Sequence, residues 1–272
     1  MGFLSSGVKT IRKFCKLFSD MQIPAFSAYT AFFVILAIFP TIMLLLYLVR
    51  LTPVSEQELL TIVNQLSPEV IRPLLSLAST ELYSGLSGTF IGATGFTLIW
   101  SASRCMVGLI NGLNSVYHVN ESRNYFVKRF IAFFYMILFI IALMLLLLFH
   151  VFWNFVLTML KQRISLPYPL PLNLLRYVVI LFFLSLLFML VFKVFPNRKA
   201  RFRSQFPGAA FAAVGWVVFT WLFSVYVNNF SNYTYLYGSL TVIVLAMLWM
   251  YFCMMILFVG GAINVYLEHR DI

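Results

Sequence analysis

From Gln205 to Leu267 the chain reads QFPGAAFAAVGWVVFTWLFSVYVNNFSNYTYLYGSLTVIVLAMLWMYFCMMILFVGGAINVYL, 63 residues without one Asp, Glu, Lys or Arg. A helix needs about 20 apolar residues to cross a hydrocarbon layer about 30 Å thick. This run is therefore long enough for two crossings and a hairpin. Asn228, Asn229, Ser231, Asn232, Tyr233 and Tyr235 mark the turn, which sets one span at about 207–227 and the last at about 238–266. Phe206-Pro207-Gly208 places proline near the first helical position, where its missing N–H costs nothing.

The rest of the chain obeys the same logic. Of its 272 residues 62% are hydrophobic and only 10% charged, against about 25% charged in a soluble domain. The mean hydropathy is +0.95, so most of the outer surface must face something other than water. Four earlier stretches qualify as spans, at about 28–49, 89–110, 130–157 and 177–193. The first is expected to be kinked or interrupted near Pro40. The fourth has 16 uncharged residues between Arg176 and Lys193, so it must borrow from its flanks or let basic side chains snorkel. The expectation is an all-α, polytopic membrane protein: one membrane domain over 1–272, with six spans whose helices satisfy their own peptide groups.

Charge orients the bundle. Thirteen Lys and Arg fall on one side, in the N-terminal arm, around 123–129, in 193–203 and in the tail, and five on the other. Cytoplasmic loops carry the excess, so both termini are expected inside. The formal net charge of +11 does not suggest nucleic acid, because these residues cluster beside apolar runs instead of interleaving with aromatics across a water-facing surface. The uncharged run Met21–Val49 exceeds a signal-peptide core and reads as an uncleaved first span. In the first outer loop, Ser55-Glu56-Gln57-Glu58 fits a capping box and Ser67-Pro68 a second helix start, giving outer-surface amphipathic helices over about 56–82. Ser165–Pro171 is proline-rich and expected to be extended. Cys15, Cys105 and Cys253 are far apart and none falls in an expected outer loop, so no disulfide framework or zinc spacing can be made from them.

Three groups of residues carry a resemblance. They are Trp100-Ser101-Ala102-Ser103-Arg104 with Leu113-Asn114 and Tyr117; Phe195-Pro196-Asn197-Arg198 leading into Phe206-Pro207-Gly208-Ala209; and Tyr226-Val227-Asn228-Asn229-Phe230 with Tyr237-Gly238-Ser239-Leu240 and Gly260-Gly261-Ala262-Ile263-Asn264. With Phe39-Pro40, their order and spacing make the chain similar to the YihY/virulence factor BrkB family. The resemblance implies a multi-pass protein of the bacterial cytoplasmic (inner) membrane. The family has carried a ribonuclease label, generally regarded as mistaken, and a looser transporter label. Members commonly have a glutamate where this chain has Ala262, which puts proton coupling through that position in doubt.

Arg104 is the foremost candidate for chemistry. About 15 residues into its span, it is placed roughly 22 Å from the outer end, near the inner edge of the hydrocarbon. Guanidinium binds phosphate bidentately, so Arg104 reads as an anion or lipid-headgroup contact, or as a snorkelling tie. Asn111, Asn114, Tyr237, Ser239 and Asn264 are the other candidate substrate contacts. Gly88 and Gly92, Gly108 and Gly112, and Gly208 read as helix-packing positions. His150 and Asn154 share a face of the third span and read as an inter-helix bond. No metal-ligand cluster, cofactor motif, nucleophile elbow or P-loop is present, so no enzyme, no catalytic residue and no cofactor is expected. The favoured function is transport or flipping of a lipid-like or anionic amphiphilic substrate, with membrane lipids as partners. The alternative is a non-transporting scaffold that binds a second copy of itself or an envelope protein.

Overall fold

The computed structural model describes residues 20–50, 88–134, 170–229 and 240–268. Among them the chain is all helical: α1 (Ile23–Arg50), α2 (Gly88–Val116), α3 (Leu170–Val194), α4 (Phe206–Asn229) and α5 (Leu240–Glu268), with a 3-10 turn at Arg203–Gln205. A further helical stretch covers 125–134. Gly92–Val116, Arg203–Val227 and Ile243–Glu268 are each long and apolar enough to cross a membrane, and shorter apolar helices cover Ile23–Ile38 and Val178–Val194. The outer helices expected over 56–82, most of the third span with His150 and Asn154, and Tyr237 and Ser239 lie outside the described residues.

Three boundaries differ from the sequence reading, each for a local reason. Helix α1 continues through Pro40 without interruption, with the Thr41 hydroxyl donating to the Ala37 carbonyl at 2.6 Å. Such side-chain bonds help a membrane helix tolerate proline. Helix α3 begins at Leu170, inside the segment expected to be extended, because Pro171 falls in the first turn, where proline is at home. Helix α2 runs to Val116, six residues past the expected end. It stops in a Schellman turn, with the Val119 N–H bonded to the Asn114 carbonyl at 2.8 Å and the His118 N–H to Ser115 at 3.1 Å. His118 takes the left-handed conformation, φ 52°, that this turn requires.

Side-chain contacts give the directions of the helices. Phe26 meets Gly112, and Tyr29 and Thr30 meet Gly108, while Phe33 packs edge-to-face with Trp100, so α1 and α2 run antiparallel. Gly208 meets Gly260 and Gly215 meets Ile256, so α4 and α5 are antiparallel too. Phe258 reaches Gly112 while Gly261 lies against Leu113 and Val116, which sets α5 parallel to α2. Phe188 stacks on Trp216 to join α3 to α4. The ends of α2, α3 and α5 and the starts of α1 and α4 therefore share one end of the bundle.

The distribution of polarity is inverted relative to a soluble protein. Phe211, Val214, Val218, Trp221, Leu222 and Val225 are exposed in one stripe along α4, at spacings that share a helix face. Meanwhile Ser27, Thr30, Ser101, Ser103, Asn114 and Asn264 are buried. An apolar stripe of that length is a liability in water and a solvent-matched surface in acyl chains.

Candidate functional site

Two hydrogen-bonded clusters close the shared end. In the first, the Asn114 amide donates to Glu121 at 2.7 Å, and its oxygen accepts the Asn197 N–H at 2.8 Å. Arg123 clasps Glu121 through Nε at 2.7 Å and Nη2 at 3.0 Å and also donates to the Phe195 carbonyl at 3.1 Å. Lys128 donates to Asn111 and lies 3.9 Å from Glu121. Burial opposes the Glu121 charge, but the hydrogen bonds and charge of Arg123 and the Asn114 amide outweigh it, so the carboxyl sits below its ordinary value. Burial pulls the Lys128 ammonium below its usual value; Glu121 opposes this and Arg123 adds to it.

The second cluster is centred on Asn264, which is fully buried. Its oxygen accepts the Gly208 N–H at 2.7 Å, one of the donors that the first turn of α4 leaves without an intrahelical partner. Its amide reaches Tyr117 Oη and the Gln205 backbone oxygen, each at 3.3 Å. Tyr117 donates to Gln205 Oε1 at 2.9 Å, and the Arg198 guanidinium lies 3.7 Å over the Tyr117 ring. Arg198 also pairs with Glu268 at 2.6 Å, and Gln205 Nε2 donates to the same carboxylate at 2.9 Å. Burial pushes the Tyr117 phenol up to about 12, although the Asn264 hydrogen bond and the Arg198 charge work against it.

Of the candidate contacts named from sequence, Asn111, Asn114 and Asn264 are thus brought to one end and bonded to protein groups. Glycines permit the approach: a Cβ on Gly208 would overlap the Gly260 carbonyl oxygen, and one on Gly112 would lie 2.5 Å from the Phe258 ring. Gly108 abuts Tyr29 and Thr30, whereas a Cβ on Gly92 would meet open space; Gly88 is the first residue of α2. Sequence reasoning did not name Glu121, Arg198, Gln205 and Glu268 as site residues. Their signal was available in part, since Glu121 and Glu268 are acidic residues at span ends beside basic clusters.

Arg104 stands apart from both clusters. It follows Gly88, the first residue of α2, by 16 residues and precedes Val116 by 12, about 24 Å and 18 Å at 1.5 Å per residue, so the helix continues further beyond it than the expected span to 110 did. The helix outruns the expected span because Asn111, Asn114 and Ser115 are satisfied within the protein; Ser115 donates to the Met21 carbonyl at 2.9 Å. The Arg104 guanidinium lies 5.6 Å over the Trp100 ring, and its Nε is buried with no hydrogen-bond partner. Two further buried oxygens nearby, Thr30 Oγ1 on α1 and Ser103 Oγ on α2, are also without a partner. Thr30 packs against Gly108, one helical turn from Arg104. Three hydrogen-bonding groups without partners therefore gather around one stretch of the α1–α2 region. Such buried groups ordinarily carry a partner.

An inverted surface, apolar helices of spanning length and a satisfied polar end define a helical membrane protein. The match to the virulence factor BrkB family covers residues 14–272, and the chain belongs to that family. It is similar to YfkH of Bacillus subtilis (strain 168), a protein named ribonuclease-like, with 29% identity over 247 residues, 90% of each chain. Over shorter stretches it resembles UPF0761 membrane proteins. The one from Idiomarina loihiensis is 34% identical over 77 residues, 28% of this chain and 27% of that one. One from Vibrio vulnificus (strain YJ016) is 32% identical over 76 residues, 28% of this chain and 24% of that one. No solved structure matches the chain.

Proposed function

We propose that this protein moves a lipid-like or other anionic amphiphile between the leaflets of the bacterial cytoplasmic membrane, with Arg104 as the headgroup contact. In this reading the chain crosses six times with both ends inside, does no hydrolytic chemistry and takes membrane lipid as its partner. The observation that carries it is Arg104 in the interior of α2, with a buried, unpartnered Nε. An arginine at the centre of a span costs about 2.5–3.5 kcal/mol. The Trp100 ring 5.6 Å away returns about 0.5–2 kcal/mol, which leaves a deficit. A phosphate or carboxylate oxygen would remove it through charge-assisted hydrogen bonds of about 1.5–3 kcal/mol each, with the Thr30 and Ser103 hydroxyls as further donors.

The test is leaflet transfer of a fluorescent phospholipid in liposomes holding the purified protein. Wild type should exceed empty vesicles, and Arg104→Ala should lose about tenfold or more of that excess, the equivalent of one such bond, with its helical content retained. Transfer no faster than in empty vesicles, or an Arg104→Ala rate equal to wild type, would end the proposal.

A further inference from the structure

We infer that the end of the bundle where α2, α3 and α5 finish is a docking collar for anionic phospholipid headgroups, separate from Arg104. Among the described residues eight cations gather there, from Arg123 to Arg203, against three carboxylates, Asp20, Glu121 and Glu268. The ion pairs among the described residues use Arg123, Lys128 and Arg198 to hold Glu121 and Glu268. Among the described residues Arg129, Lys193, Lys199, Arg201 and Arg203 have no carboxylate partner. The last four are exposed, and Arg129 is committed to the Tyr125 hydroxyl at 2.7 Å.

These charges are not carried on a loose tail. The segment between α3 and α4 is fastened by the Asn197 N–H to Asn114, by Asn197 Nδ2 to Ser122 at 2.9 Å, and by the Arg198–Glu268 pair. Lys199, Arg201 and Arg203 are therefore presented from a fixed frame, which lowers the ordering cost of binding.

The surroundings select the partner. Phe206 comes directly after the basic segment and is 56% exposed, while Tyr266 on the last turn of α5 is 67% exposed. Phe126 and Phe130 are exposed on the helical stretch 125–134. A soluble polyanion would cover the cations and leave these rings in water. A lipid leaflet supplies phosphate oxygens at the level of the cations and acyl chains at the level of the rings, the pairing on which aromatic belts and juxtamembrane basic clusters rely.

The experiment uses the full chain in zwitterionic detergent micelles and measures the thermal unfolding midpoint as lipid is added. Phosphatidylglycerol should raise the midpoint more than phosphatidylcholine of the same chains, and the difference should shrink at high salt, as screening requires. A variant carrying Lys199→Gln, Arg201→Gln and Arg203→Gln should lose at least half of that difference, and Gly92→Ala, whose new methyl meets open space, should keep it. If the triple variant is not monodisperse, each single substitution should lower the difference by part. Equal shifts with the two lipids would overturn the inference. So would a full difference in the triple variant or in all three singles, or an equal shift from soluble glycerol phosphate at the same concentration. Loss of the difference in Arg104→Gln alone would assign the effect to the Arg104 site and overturn the collar. Failure of the transfer assay leaves this result unaffected, because binding is read without transport.

Discussion

Replacing Asn264 with alanine tests whether that residue holds the bundle together or waits for a ligand. Its oxygen is the acceptor 2.7 Å from the Gly208 N–H, in a place with no solvent exposure. Removal leaves a buried donor without a partner, a loss of about 1–3 kcal/mol. The amide contacts to Tyr117 and Gln205 at 3.3 Å are long for hydrogen bonds and add little. A total of about 1–3 kcal/mol corresponds to a midpoint lowered by roughly 2–10 °C for a chain of this size. The assay is thermal unfolding in detergent, tracked by near-ultraviolet dichroism, with and without added lipid. The loss should be the same in both conditions, because the side chain acts within the protein. Gly208→Ala should also destabilise, by about 1–3 kcal/mol or more, since its Cβ would overlap the Gly260 carbonyl and force α4 from α5. Both substitutions break one contact, so the double variant should cost at least about 1 kcal/mol less than the sum. An unchanged midpoint for Asn264→Ala, or strict additivity with Gly208→Ala, would refute the argument.

Two smaller effects arise from the same geometry. Glu121 titrates below its ordinary value in the folded protein, so its stabilisation is complete above about pH 4.5 and is lost as the pH falls through the folded value. Wild type should therefore lose more of its melting midpoint between about pH 6 and pH 3.5 than Glu121→Gln does, and parallel losses would contradict the Arg123–Glu121 account. Gly92→Ala should be neutral or stabilising by up to about 1 kcal/mol, the helix-propensity gain, because the new methyl meets open space. Gly112→Ala, against the Phe258 ring and Phe26, should destabilise, and the reverse order of melting midpoints would show that α2 packs differently.

The helices were legible because hydropathy reports the solvent, and a run such as 205–267 leaves few alternatives. Their ends were less so. Polar residues at 111–115 look like the start of an interface in the one-dimensional pattern, yet Lys128, Glu121 and Met21 satisfy them from distant positions, and α2 continues. Pro171 misled in the same way, because the same proline serves a loop or a first helical turn, and only the apolar residues after it decide between them. The candidate site was legible as a list of polar residues in apolar surroundings and illegible as an arrangement. Nothing in sequence spacing places Asn264 against Gly208, 56 residues away, or distinguishes Asn114, whose amide is fully engaged, from Arg104, whose Nε is not.

That distinction comes from how helices associate in lipid. Acyl chains are as apolar as leucine, so apolar burial cannot hold the bundle together there, and close packing with polar ties must do so. Among the described residues both devices concentrate toward one end: the glycine contacts at Gly108, Gly112, Gly208 and Gly260, and the hydrogen bonds of Asn114 and Asn264. Toward the start of α2 the glycines Gly92 and Gly95 meet nothing. The residues tied into the two clusters hold the helices in place; Arg198 Nε is also buried without a partner, but its other nitrogens are paired with Glu268. Arg104, Ser103 and Thr30 lie between the tied end and the open one, and their unpartnered atoms contribute nothing to that task. Arg104 Nε, buried without a partner, costs stability without adding a tie, which is why the functional proposal rests on Arg104 and not on the better-bonded asparagines.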